Sequence, residues 1–169
     1  MRRASFEDMN CSIAKTLEII GEWWTPLILR DAFLGVTRFD DFCERLGIAR
    51  NVLTARLETL VEAGVLERHI YDEARQRADY VLTDKGLALW PVMVTIRQWG
   101  DEWLVGEGNE PVQLLHKSCG SVTDPYLVCD KCDERLERKA LRAIDGPGAG
   151  DESLIPAART TGTEPARIT

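Results

Sequence analysis

The sequence predicts a mainly α fold with a small β component (α+β), and three observations carry that prediction. Between residues 11 and 64, four short segments place apolar side chains at helical spacing, and each stops at a glycine. Residues 65–71 and 78–82 are rich in β-formers and flank a polar connector, the pattern of a hairpin. A long helical stretch then follows Thr83, with a proline inside it.

The elements follow in order. "CSIAKTLEIIG" sets Ile13, Leu17 and Ile20 at i, i+4 and i+7 and ends at Gly21. In "TPLILRDAFLG", Thr25 is expected as the N-cap, with Pro26 in the first turn. "TRFDDFCERLG" is a third helix with Phe39, Phe42 and Leu46 inward, and Cys43 between apolar positions reads as core. "IARNVLTARLETLVEAG" is a fourth, with a Leu53, Leu57, Leu60 stripe. "VLERHIY" and "ADYVL" form the hairpin, around "DEARQR". Thr83 should cap a helix reaching about Leu104, kinked or broken at Pro91. There Val92, Ile96, Trp99 and Trp103 make a face too apolar to leave in water. "VGEGNEP" is linker-like, "DERLERKALRAI" reads as a short charged helix, and the chain from Gly146 has a disordered composition.

The 169 residues suggest one domain or one with an appendage, and 44% hydrophobic residues support a normal core. No apolar run approaches the roughly 20 residues of a membrane helix, so no membrane partner is expected. The N-terminus lacks an apolar stretch of the secretory type, so a cytoplasmic location is the expectation. In that reducing compartment five cysteines point to metal ligands or reactive thiols rather than disulfides. The net charge of −7 argues at first against a nucleic-acid partner, since DNA binding draws on Lys and Arg. Residues 1–104 carry 13 basic and 17 acidic side chains, the remainder 8 and 11. Any DNA contact must therefore depend on where the arginines lie.

Helix, tight turn at Gly47, helix, two-stranded hairpin is the order of a winged helix-turn-helix. With the leucine stripe buried, Asn51, Thr54 and Ala55 point the other way at 100° per residue, and Arg50 lies in the first turn. Arginine can read guanine and asparagine adenine bidentately, and a small alanine permits contact with a thymine methyl. Glu58 and Glu62 follow on that face and confine reading to its N-terminal half. Arg38 opens the preceding helix, and Arg75 and Arg77 sit at the hairpin tip, placed for backbone or minor-groove contacts.

The segments "CSIAKTLEIIGEWWTPLILRDAFLG", "RFDDFCERLGIARNVLTARLETLVEAGVLER" and "YVLTDKG…LWPV…WG" resemble the HxlR family of bacterial transcriptional regulators. The resemblance covers residues 11–104 and implies a dimeric winged-helix regulator on double-stranded DNA. It places Arg50, Asn51 and Thr54 at base-facing positions, and assigns the homodimer contact to the kinked C-terminal helix and the first helix. A repressor on a pseudo-palindromic operator, responsive to a small-molecule effector or thiol oxidation, is the expected function. Cys11 matches an N-terminal cysteine that several family members use as a redox sensor. One departure is local: the family's wing carries a proline before its arginine, where this chain has Gln76 before Arg77.

In "HKSCGSVTDPYLVCDKC", His116, Cys119, Cys129 and Cys132 form H-x2-C, nine residues, C-x2-C. Two-residue spacing lets each pair reach one ion, and Cys3His suits structural Zn2+ with no coordination position left open. A zinc-ribbon-like appendage over 112–144 is thus expected, followed by a disordered tail over 145–169. Asp133 stands where many ribbons have glycine. A zinc-ribbon protein-interaction module is one alternative. A thiol oxidoreductase at Cys129 and Cys132 is another, although the expected βαβ context is missing. No GxSxG, phosphate loop or HExxH occurs, and His69 has no nucleophile beside it, so no enzyme is expected.

Overall fold

A computed structural model of the chain describes residues 5, 6, 8–149 and 155. It forms two compact units, one through Pro125 and one from Tyr126. The first opens with α1 (Ser12–Ile20), α2 (Thr25–Phe33), α3 (Phe39–Leu46) and α4 (Arg50–Glu62). A hairpin of β1 (Leu66–Asp72) and β2 (Arg77–Leu82) follows, then α5 (Asp84–Leu87) and α6 (Trp90–Gly100). The architecture is the mixed α and β arrangement expected, with the two-stranded wing in place.

The core is drawn from all four leading helices and the start of β1. Ile20, Ile28, Leu29, Phe42, Ile48, Leu53, Leu57, Leu60, Val65 and Leu66 form one buried cluster. The leucine stripe of α4 is inside, and Cys43 packs against the cluster as expected. At this spacing each leucine lies within one or two turns of the next, so α4 is anchored along one side and free along the other.

The turn between α3 and α4 depends on Gly47, whose φ of 62° lies in the left-handed region that glycine enters at least cost. Its amide donates to Cys43 O at 2.9 Å, closing α3. At α2 the helix begins at Thr25 itself, with Trp24 as cap and no side-chain cap bond. The expected Thr25 cap is corrected by one position: Trp24 already has helical dihedrals, and Thr25 is buried.

The sequence did not reveal Asp31, a carboxylate with 0% exposure. Its Oδ1 accepts from Arg30 Nε at 2.8 Å, and its Oδ2 from Arg45 Nε at 3.1 Å. The cluster ties the end of α2 to the last turn of α3. Two guanidinium groups satisfy a charge that would otherwise be costly inside.

In the wing, β1 and β2 pair antiparallel from Leu66↔Leu82, with a register irregularity between Ile70 and Asp72. The wing is held to the body where Tyr80 N donates to Thr37 O at 2.8 Å and Thr37 Oγ1 donates to Asp79 Oδ1 at 2.9 Å. At the tip, Gln76 takes φ 52° and its side-chain amide donates to Glu73 O at 2.8 Å. Proline, fixed near −65°, cannot adopt that conformation. The departure noted in the sequence is therefore a different turn.

Thr83 caps α5 as expected: its Oγ1 accepts from Gly86 N at 3.1 Å. Gly86 is packed so closely that a Cβ would meet Val65 O at 2.2 Å. The expected long helix breaks where Pro91 requires it, into α5 and α6, and α6 passes into a π-helical turn over Asp101–Val105. A short hairpin, β3 (Leu114–His116) and β4 (Ser121–Thr123), follows. Bonds from Arg97 to Val112 O and Asp124, and from Gln98 to Pro125 O, attach its flanks to α6. Ile13 and Leu17 on α1 are exposed, as are Trp90, Val92, Ile96 and Trp99 on α6 and Trp103 just beyond. Among the described residues no helix is long and apolar enough to cross a membrane.

In the second unit, Val128 and Arg135 form an antiparallel bridge, and Arg135 stacks over Tyr126 at 4.8 Å. The charged helix expected over residues 133–144 is corrected: only Arg138–Ala140 makes a helical turn, of the 3-10 type. Leu136 N bonds to Leu127 O and Cys129 N to Glu134 O, which holds the start of that stretch extended. A lone helix of this length is also marginal without packing. Most of the tail expected to be disordered lies outside the described residues.

Candidate nucleic-acid interface

The open side of α4 begins at Arg50 and Asn51, both exposed, continues through exposed Thr54, and includes half-buried Ala55. Thr54 Oγ1 donates to Arg50 O at 2.9 Å, so its hydroxyl hydrogen is already committed. What Thr54 can offer a ligand is its methyl group and its remaining acceptor capacity. Glu58 and Glu62 are exposed further along the helix.

Beside α4 runs a cleft, lined by Arg38, Asp40, Arg50, Tyr71, Arg75 and Arg77 among others. Four arginines expected from the sequence to contact DNA thus border one concave surface, although they come from α3, α4 and the wing. Asn51, Thr54 and Ala55 lie along α4 and do not line it. Arg38 is the N-cap of α3; its Nε is 3.9 Å from Asp79 Oδ1, and its guanidinium lies 5.5 Å from the Tyr71 ring. Arg50 Nη1 donates to Asp40 Oδ1 at 2.7 Å, and its guanidinium lies 4.7 Å from the Phe39 ring. That hydrogen bond holds the guanidinium above its ordinary pKa, against a smaller opposing effect of desolvation. Arg75 N donates to Asp72 Oδ1 at 3.0 Å, which shapes the wing tip. Among the described residues neither Arg75 nor Arg77 forms an ion pair.

Sequence reasoning missed Asp40, Phe39 and Tyr71 as members of this surface, and Asp79 as the partner of Arg38. The helix-turn-helix geometry was the available signal, since it brings the first turns of α3 and α4 together. On β1, the His69 ring lies 3.1 Å from the carboxylate of exposed Glu67.

The cysteine segment divides between the two units. In the first, His116 Nδ1 lies 3.3 Å from Cys119 Sγ, across a turn closed by Gly120 N to His116 O at 2.8 Å. In the second, amide N–H groups of Lys131 and then Cys132, followed by the Cys132 thiol, bond to Cys129 and push its pKa below the usual thiol value. Asp133 takes φ 58°, the left-handed conformation for which a glycine is usual at that position in ribbons. Among the described residues no group of three or more His, Cys, Asp and Glu side chains is gathered for a metal ion. Cys11 is half-buried and is the N-cap of α1, so it opens that helix as expected.

A helix-turn-helix whose second helix exposes its N-terminal face beside an arginine-bearing wing defines a DNA-binding transcription regulator of the winged-helix class. The sequence matches the HxlR-like helix-turn-helix family over residues 19–107, and the chain belongs to that family. An HTH-type transcriptional regulator of Mycobacterium tuberculosis is 42% identical over 137 residues, 81% of this chain and 87% of its own. A match of that extent cannot avoid the segment from His116 to Cys132. The crystal structure of PA1607, described as a candidate transcription factor, has TM-score 0.74 and 36% identity, covering 85% of this chain and 100% of its own. The reduced form of the redox regulator HypR has TM-score 0.50 and 27% identity, covering 53% of this chain and 90% of its own. The family is one of transcription regulators, not enzymes.

Proposed function

We propose that the protein represses transcription as a homodimer on a pseudo-palindromic operator, with α4 in the major groove and the wing on the flanking backbone or minor groove. The observation that carries this reading is the meeting of Arg38, Arg50, Arg75 and Arg77 around one cleft beside the free face of α4. Arg50 would read guanine and Asn51 adenine, with Thr54 and Ala55 against thymine methyls. Arg38, Arg75 and Arg77 would hold the backbone or minor groove.

Exposed Ile13 and Leu17 on α1, with Ile96, Trp99 and Trp103 near the chain's last long helix, support the dimer, since a lone protomer would leave that surface in water. Equilibrium binding to the DNA upstream of its own gene tests the whole proposal. Affinity should fall steeply with salt, with a log–log slope of about −5 for six phosphate-facing arginines per dimer. An Arg50→Ala, Asn51→Ala double variant that binds its operator as well as the wild type would overturn the reading.

We further propose two inputs to that regulator. Reversible oxidation of Cys11, or a small molecule, would set operator affinity; the likeness to the redox regulator HypR supports the first. Cys11→Ser should abolish any response to peroxide. His116, Cys119, Cys129 and Cys132 would hold one Zn2+, whose closed tetrahedral set supplies a cross-link and no catalysis. The tight turn within each pair, and the N–H groups directed at Cys129, support that role. A protein-interaction role for this segment would instead show metal-dependent partner binding without sequence-selective DNA affinity.

A further inference from the structure

Arg50 differs from the other arginines of the cleft in how firmly it is held. Asp40 binds its Nη1 at 2.7 Å and the Phe39 ring lies 4.7 Å from its guanidinium. Both partners belong to the first turn of α3. The Arg38 pair is looser, at 3.9 Å, and Arg75 and Arg77 have no ion pair among the described residues.

That arrangement suits one kind of DNA contact and opposes another. A phosphate anchor works through net positive charge and the release of counterions. Arg50 and Asp40 together are neutral, and a carboxylate at that place repels phosphate oxygens. A base reader needs a planar donor edge in a defined orientation. Of the five N–H donors of a guanidinium, Asp40 takes one. Enough remain for the two bonds to guanine O6 and N7, and the ring contact limits rotation of the plane.

We propose that Asp40, aided by Phe39, is the positioning residue that makes Arg50 a guanine reader instead of a phosphate anchor, and so sets sequence discrimination at one base pair of each half-site. This inference rests on the DNA-binding reading given above. Arg38, Arg75 and Arg77 then supply the sequence-independent grip.

The test compares the full-length wild type, Asp40→Asn, Asp40→Glu and Arg50→Ala on the upstream operator, all its single-base-pair variants and a random duplex. Asp40 is 70% exposed, so Asp40→Asn should keep the wild-type circular dichroism spectrum. Arg50→Ala identifies the base pair that Arg50 reads. Asp40→Asn should flatten preference at that same pair by about tenfold, within the range of one bidentate contact. It should also bind random DNA more tightly at 0.1 M salt, by about eightfold per protomer and about sixtyfold for the dimer, with a salt slope steeper by about 0.9 per protomer. Asp40→Glu should restore part of the preference.

If Asp40→Asn keeps the wild-type base profile, weakens all sequences equally, or flattens a different pair from Arg50→Ala, the inference is wrong. A wild type with no sequence preference overturns the function proposed above together with this inference. A selective wild type with an equally selective Asp40→Asn overturns the inference alone.

Discussion

Replacing Asp31 by asparagine tests whether the buried carboxylate holds α2 to α3, the first helix of the helix-turn-helix. The side chain is fully buried, with Arg30 Nε and Nη2 on one oxygen at 2.8 Å and Arg45 Nε on the other at 3.1 Å. Asparagine has nearly the same volume, so no cavity complicates the comparison. Its amide nitrogen must face a guanidinium N–H, and the remaining oxygen is a neutral acceptor. Breaking a buried ion pair costs about 3–5 kcal/mol where the remaining charge stays dry. Here Arg30 and Arg45 are 48% and 49% exposed, so water can rehydrate the guanidinium groups. About 2 kcal/mol is the resulting expectation, or a fall in melting temperature of about 8 °C at roughly 4 °C per kcal/mol. Thermal and urea unfolding followed by far-ultraviolet circular dichroism measure it. A double-mutant cycle with Arg45→Met should return a coupling of about 1 kcal/mol or more. An Asp31→Asn variant within about 0.5 kcal/mol of wild type would refute the role of this cluster in joining α2 to α3.

Gly86→Ala should destabilise the fold by about 2 kcal/mol or more in urea unfolding, because the added methyl would sit 2.2 Å from a backbone oxygen that cannot move without displacing the wing. Ile96→Glu, on the exposed face of α6, should convert a dimer to a monomer in light scattering while leaving the protomer folded; an unchanged mass would remove α6 from the interface. The purified protein should contain about one zinc per chain. Cys119→Ser should lower that content and increase protease cleavage between residues 112 and 144 without abolishing the folded signal of the first unit, and metal-free wild type would exclude the ribbon.

The helices of the first unit were legible because their signals are local and agree with one another. Leucines at 53, 57 and 60 and a stop at Gly64 leave few alternatives to an amphipathic helix, and Pro91 located the break after α5. Arg50 and Arg38 were legible as surface arginines near helix starts. Their partners were not: Asp40 is ten positions from Arg50 in the chain, and nothing in the spacing distinguishes it from Asp41. Asp31 was hidden for a related reason, since burial of a charge depends on two arginines that arrive from different elements. The charged stretch after Cys132 failed as a helix because backbone pairing around the cysteine turn outweighs a weak propensity. Gln76 could be recognised as unusual, but its left-handed backbone is set by the turn it makes with Glu73 and leaves no mark in the sequence.

The pairing of arginines with aspartates across the cleft has a consequence on the scale of the chromosome. Random DNA offers a regulator an enormous excess of competing sites, and its hold on them is set largely by uncompensated positive charge. On the reading proposed above, a chain with net charge −7 whose Arg50 is paired with Asp40 would have a weaker hold of that kind than one with that arginine unpaired. Fewer molecules would then be sequestered away from the operator at any moment. A small pool per cell would then keep one promoter occupied, and a modest change in affinity would be enough to empty it.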